Sequence, residues 1–340
     1  MQSRGNGVTD VRVRRVRGRR PVWAAAVLGV VVIAVAACSS DEQLTTPDGS
    51  PISTTVTRVA EVNIVSPERD FSKTCLAPTA AESGTTDAAR IVVTDPTLLD
   101  ALCALGMGDK VAAVTAAPGS VPAYLGPQLT SVPAIGTTPD AAAVSETDAD
   151  LVLTTPETAA SSKTFRGVRS VTIPVGDWQE QFQAVADAVD RSEAGRQRLA
   201  EFTTEAAKTG RRMDASHTQV SLVRFGEDSE TIAGMDTFAG QILGEIGVQR
   251  PAPQRVPDSF PVTSENFREA EGDLIYVSFE GEKGQQHGEE VLLSDEWLGL
   301  GASMWKRVLA VDDAVWYDSS GLAAAWLVLN DVKGSLDGNS

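Results

Sequence analysis

The sequence predicts an α/β protein built as two α/β lobes joined by one long helix. Three observations carry this reading. Short β-branched runs alternate with helical stretches over residues 90–173, apolar residues recur every three or four positions over 177–208, and the first pattern returns after residue 220. Such alternation implies parallel strands with crossovers, because a parallel pair cannot be closed by a tight turn.

In chain order, residues 54–88 form an N-terminal arm in which Val56, Val59, Val62 and Ile64 are spaced for a short strand. The first lobe, 89–176, has β-rich runs at 90–94, 110–115, 132–135, 150–155 and 168–173, with helical stretches at 96–105 and 139–147. Asp177 and Glu180 then make a capping box, and Trp178, Phe182, Val185, Val189, Leu199, Phe202 and Ala206 keep helical spacing behind it. Carried to about residue 208, this helix reaches ~45 Å, too long for an ordinary crossover, so 177–210 is expected to be a connecting helix. Gly195 could bend it, although a lone Gly weakens a helix by only about 1 kcal/mol.

The second lobe, 211–334, starts with a strand at 220–225 and a helix at 237–246. That helix closes on Leu243, Gly244, Ile246 and Gly247, much as the first lobe closes a helix on Leu102, Leu105 and Gly106. A helical 265–270 runs into Asp273, Leu274 and Ile275, as 141–146 ran into Asp150, Leu151 and Val152. Two correspondences in one order suggest an internal repeat of the lobe. A strand is expected at 314–316, and His287 falls in a solvated loop.

Composition narrows the function. The net charge of −17 over 340 residues repels phosphate backbones and argues against nucleic acid as a partner. With His217 and His287 as the only histidines, a metal site of several imidazoles is excluded. No GxSxG, HExxH, P-loop or post-strand GxGxxG motif occurs, so the chain is not expected to be an enzyme, and no intrinsic cofactor is expected.

Residues 1–37 carry seven Arg and one Asp and run into an apolar stretch at 22–37, the organisation of a signal peptide. Val35, Ala36 and Ala37 precede Cys38, which resembles a bacterial lipobox and implies cleavage and lipidation at Cys38. Removing the seven Arg and one Asp takes the net charge from −17 to −23. Residues 38–53, mostly Ser, Thr, Pro, Gly, Asp and Glu, read as a flexible tether. The domain is therefore expected on the outer face of a cell membrane, held through a lipid anchor. In that oxidising compartment Cys75 and Cys103 favour a disulfide over free thiols, and no CxxC suggests a redox role.

The order of these pieces resembles the substrate-binding lipoproteins of ABC importers for ferric siderophores, haem and cobalamin, the FecB-type members above all. The residues that carry the likeness are 90–114, 132–154, 220–226, 262–277 and 297–331. The resemblance implies a ligand cleft between the lobes, formed by loops at the carboxyl ends of the strands, as is general for open α/β sheets. Those loops follow Thr94, Thr115, Ile135 and Thr155 in one lobe and Val223, Val277 and Val315 in the other.

On this resemblance Arg224 stands where siderophore-binding members often carry an Arg, able to pair with carboxylate or catecholate oxygens; Arg166, on an expected first-lobe loop, is the other basic residue best placed to meet an anionic ligand. Phe260 falls where cobalamin-binding members place a cleft Trp, while Tyr317, Asp318 and Tyr124 lie on expected loops. Trp305 fits either cleft or packing; Trp178, Trp297 and Trp326, at helical spacing among aliphatics, are assigned to packing. Glu265 matches the acid that meets the permease, and its first-lobe equivalent is Ala142, with Asp140 the nearest acid. The expectation is a monomeric protein that captures a metallophore, a ferric siderophore or haem, with His287 as an axial haem ligand in the second case, and delivers it to an ABC permease. A scaffolding or sensor lipoprotein that imports nothing stays open as the alternative.

Overall fold

The computed structural model describes residues 55–336. The expected signal peptide, tether and Cys38 lie outside that range. Among the described residues no helix is long and apolar enough to cross a membrane.

The arm contributes the short strands β1 (Arg58–Val59) and β2 (Val62–Ile64). The first lobe follows as β3 (Ile91–Val93), α1 (Leu99–Ala104), β4 (Val111–Val114), α2 (Gly126–Thr130), α3 (Ala141–Thr147), β5 (Leu151–Thr154) and β6 (Arg169–Thr172). Next come α4 (Trp178–Ala188) and α5 (Ser192–Arg212). The second lobe consists of β7 (Val220–Phe225), β8 (Glu230–Ile232), α6 (Phe238–Ile246), β9 (Phe260–Pro261), β10 (Leu274–Phe279), α7 (Gly281–Leu292), α8 (Asp295–Leu298), α9 (Gly301–Met304), β11 (Val308–Ala310), α10 (Asp313–Trp316) and α11 (Leu322–Leu336).

The first sheet, ordered β4-β3-β5-β6, is parallel throughout. The expected strand at 132–135 is reduced to a single bridge between Val114 and Ala134. The second sheet runs β1-β2-β11-β10-β7-β8-β9, parallel from β2 to β7 and antiparallel at its edges. Its central strands are buried on both faces: Leu274 and Tyr276 of β10 face one core cluster, and Ile275 and Val277 face another. That double burial is why the runs read as continuously apolar.

The arm joins both lobes. Its β2 pairs with β11 in the second sheet, while the Cys75–Cys103 disulfide fastens it to α1 of the first lobe. Ser66 and Arg69 of the arm also donate to the buried Asp331 on α11.

Five expectations are corrected. The connecting helix is two helices: Asp190 takes a left-handed conformation (φ 57°), and the buried Arg191 turns its guanidinium to the Val189 and Thr79 carbonyls and to Asp87. Gly195 does not bend the strut. A Cβ there would meet the Ala186 Cβ at 2.6 Å, so this glycine lets α5 lie close against α4. The 21 residues of α5 span ~31 Å and lead into the second lobe. Residues 314–316 are helical, because Asp312 accepts the Val315 amide at 3.2 Å and starts α10; the strand of this region is β11, just upstream. His287 lies on α7 rather than in a loop, and 265–270 shortens to a 3-10 turn at Phe267–Ala270.

Candidate functional site

The carboxyl ends of β7 and β10, with α10 and the start of α6, enclose a cavity of about 410 Å³. Arg224 near the end of β7 and Gly226 just after it line this cavity, Glu280 follows β10, Phe238 comes from α6, and Trp316 and Tyr317 come from α10 and its exit. α10 also packs against the Ala123–Leu125 turn of the first lobe, so the cavity lies next to the junction of the lobes.

Arg224 is the centre of an ion cluster. Its Nε donates to Asp313 Oδ1 at 2.9 Å, and its Nη2 donates to Asp313 Oδ2 at 2.6 Å and to Asp318 Oδ1 at 2.7 Å. A Glu280 oxygen stands 4.0 Å away, and the Tyr317 ring centroid lies 5.3 Å from the guanidinium carbon. The Asp313 hydrogen bonds push Arg224 further above its already high pKa, with Asp313, Asp318 and Glu280 acting electrostatically in the same direction. Arg224 therefore does not stand as an isolated cation at this strand end: Nε and Nη2 are committed to Asp313 and Asp318, which leaves Nη1 to reach a ligand. Behind the cavity Arg250 is buried and donates to the Ala233 carbonyl and to Gln254, and burial pushes its guanidinium down to about 10. Burial likewise raises the pKa of the Tyr317 phenol.

The first lobe faces its carboxyl edge with hydroxyls. Thr94 Oγ1 lies 2.7 Å from Thr158 Oγ1, and the Thr155 hydroxyl donates to Asp95 at 3.0 Å. The sequence reading named Thr94 and Thr155 only as strand ends preceding ligand loops, and did not single out their hydroxyls, Asp95 or Thr158, nor Asp313 and Glu280. A Thr closing successive strands (Thr94, Thr154) was the available signal for the first set; for Asp313 there was none, since its partner is 89 residues away.

The remaining candidates scatter. Asp318 is on the rim, in the Arg224 cluster. Phe260 sits on the edge strand β9 and packs against the second-lobe core rather than lining the cavity. Tyr124 is buried and donates to Asp100 at 3.0 Å, a tie within the core rather than a loop aromatic. Arg166 is exposed just before β6, at the amino edge of a parallel sheet, opposite the edge where ligand loops gather. Trp305, 78% exposed, belongs to a separate groove of about 730 Å³ with Gln219, Asp273 and Arg307, at the amino ends of β7, β10 and β11. Although that groove is the larger, it is on the wrong edge for an α/β ligand site. Glu265 is exposed beyond β9, and the exposed Asp140 caps α3 by accepting the Ala143 amide at 2.8 Å. His287 pairs with Glu230 at 3.1 Å and meets the Phe225 ring edge-on, so it does not line the cavity as an axial haem ligand would.

Comparison with known proteins is consistent with this geometry. The periplasmic binding protein family matches residues 91–315. The probable siderophore-binding lipoprotein YfiY of Bacillus subtilis is 26% identical over 271 residues, 72% of this chain and 81% of that protein. Staphylococcus aureus SirA complexed with staphyloferrin B superposes with a TM-score of 0.60 at 18% identity, over 76% of this chain and 99% of SirA. Staphylococcus aureus FhuD2 with bound ferrioxamine B gives 0.56 at 19%, over 73% and 97%. At these identities the two crystal structures show a shared fold.

Proposed function

The chain belongs to the periplasmic binding protein family, and on that premise we propose that it captures a ferric siderophore between its lobes for an ABC importer. The observation that carries this is the cavity at the carboxyl ends of β7 and β10, walled by α10 where that helix meets the first lobe. Such a position is where α/β sheets take ligands. Family membership, the relationship to a siderophore-binding lipoprotein, and the fold shared with proteins holding staphyloferrin B and ferrioxamine B support the same ligand class. Lipidation at Cys38 would keep the domain at the membrane, and Glu265 and Asp140, one exposed acid on each lobe, would meet the permease.

The test is titration of the purified chain with ferric siderophores while tryptophan fluorescence is followed, Trp316 being in the cavity wall. Saturable quenching at micromolar ligand is expected. Absence of binding across hydroxamate, carboxylate and catecholate chelates would remove the importer reading and favour a scaffolding role. Glu265→Lys should leave that titration unchanged while reducing cellular uptake.

A further inference from the structure

The charge around the cleft bears on which siderophores it can hold. Arg224, the cation of the cavity, is forked onto Asp313 and bonded to Asp318, with Glu280 beside it, so one positive charge meets three carboxylates. Across the junction, the stretches that immediately follow the first-sheet strands and the Ala134 bridge (94–98, 115–122, 135–140, 155–160 and 173–177) contain no Lys or Arg, and the connection after β5 reaches its cations only further on, at Lys163 and Arg166. Asp95 and Glu157 are among the acids they do contain. On the second lobe Lys283 is engaged with Glu227, and Arg250 is buried behind the cavity with its donors turned to Ala233 and Gln254. The chain as a whole carries −17.

A ligand entering this cleft meets a negative field from both sides. Arg224 can offer a chelate only its Nη1 while Nε and Nη2 hold Asp313 and Asp318, and a two-pronged grip on the ligand would leave the largely buried Asp313 carboxylate without its partner. Resting on the siderophore reading above, we infer that the cleft selects ferric siderophores of neutral or positive net charge, the trihydroxamate chemistry, and rejects polyanionic chelates such as ferric tricatecholates. Like-charge juxtaposition is the usual means by which a binding surface excludes a wrong partner of similar shape.

The experiment compares three ferric chelates on the purified full-length protein: ferrioxamine B, which carries a pendant ammonium; its N-acetyl derivative, which lacks that charge on the same iron centre; and a trianionic tricatecholate. At low ionic strength the order of affinity should be cation, neutral, trianion, with about tenfold or more between the first and the last. The spread should shrink on adding salt, since the Glu280 and Asp318 side chains are 62% and 60% exposed and therefore screened. Glu280→Gln with Asp318→Asn should narrow it at low salt by improving the tricatecholate. If the trianion binds as tightly as ferrioxamine B or tighter, the charge selection is wrong while the siderophore reading stands. If none of the three binds, the siderophore reading fails and the selection falls with it.

Discussion

Asp100 and Ala323, 223 residues apart, are joined by a hydrogen bond of 2.8 Å that fixes the start of the last helix against the first lobe. The same carboxylate accepts the Ala324 amide and the Tyr124 hydroxyl, each at 3.0 Å. Gly321 makes room for it, since a Cβ there would lie 2.1 Å from Asp100 Oδ1. Asp100→Ala should leave these donors unpaired and lower stability by about 3 kcal/mol, measured by urea unfolding. Burial outweighs the three hydrogen bonds and holds the Asp100 carboxyl above its usual range. Its contribution to stability is therefore complete below the unfolded value, about 3.9, and is lost as pH rises through the higher folded value. The deficit of Asp100→Asn relative to the parent should accordingly narrow as pH rises above the unfolded value; a deficit that widens would contradict this sign.

Arg224→Ala strands the mostly buried Asp313, and the loss of charge-assisted hydrogen bonds should cost about 1.5–3 kcal/mol. Arg224→Lys should recover less than half of that, because an ammonium cannot form the two-pronged contact with Asp313. Equal unfolding midpoints for Arg224→Lys and the parent would show that the fork contributes nothing.

Reduction of Cys75–Cys103, which closes a separation of 28 residues, should lower stability by roughly 3–4 kcal/mol through loop-closure entropy. Thiol titration of the denatured, unreduced protein, normalised to chain concentration, checks the premise: neither Cys75 nor Cys103 should react before reductant is added.

Gly210 and Gly244 should respond oppositely to Ala. At Gly210 a Cβ would fall 1.7 Å from the Ile246 carbonyl oxygen, so Gly210→Ala must push α5 from α6 and should destabilise by about 1–3 kcal/mol or more. Gly244 is exposed inside α6 with nothing within 4 Å of its would-be Cβ, so Gly244→Ala should stabilise by about 0.5–1 kcal/mol. Thermal unfolding of the two variants against the parent decides both.

The alternation of strands and helices, the helical stretches at 139–147 and 237–246, the helix start at Asp177, the acidity and the Cys75–Cys103 pair were all legible in the sequence. Each of those signals is local or compositional: a cap needs only its own first turn, and an apolar period survives whatever packs against it. Only the tertiary structure decided the rest. The strut breaks at Asp190 because Arg191 finds Thr79 and Asp87, more than a hundred residues upstream. Arg166 looked like a cleft residue, and Trp305 fitted cleft or packing equally, until the strand directions placed both at the amino edges of the sheets. Arg224 was foreseen at its strand end, but its carboxylate partners were not. Whether a guanidinium is free for a ligand depends on carboxylates such as Asp313, 89 residues away, which β10 and β11 bring to the same edge of the sheet. Sequence periodicity specifies which face of an element is buried, whereas the field in a cleft is a sum over charges brought together by long-range packing.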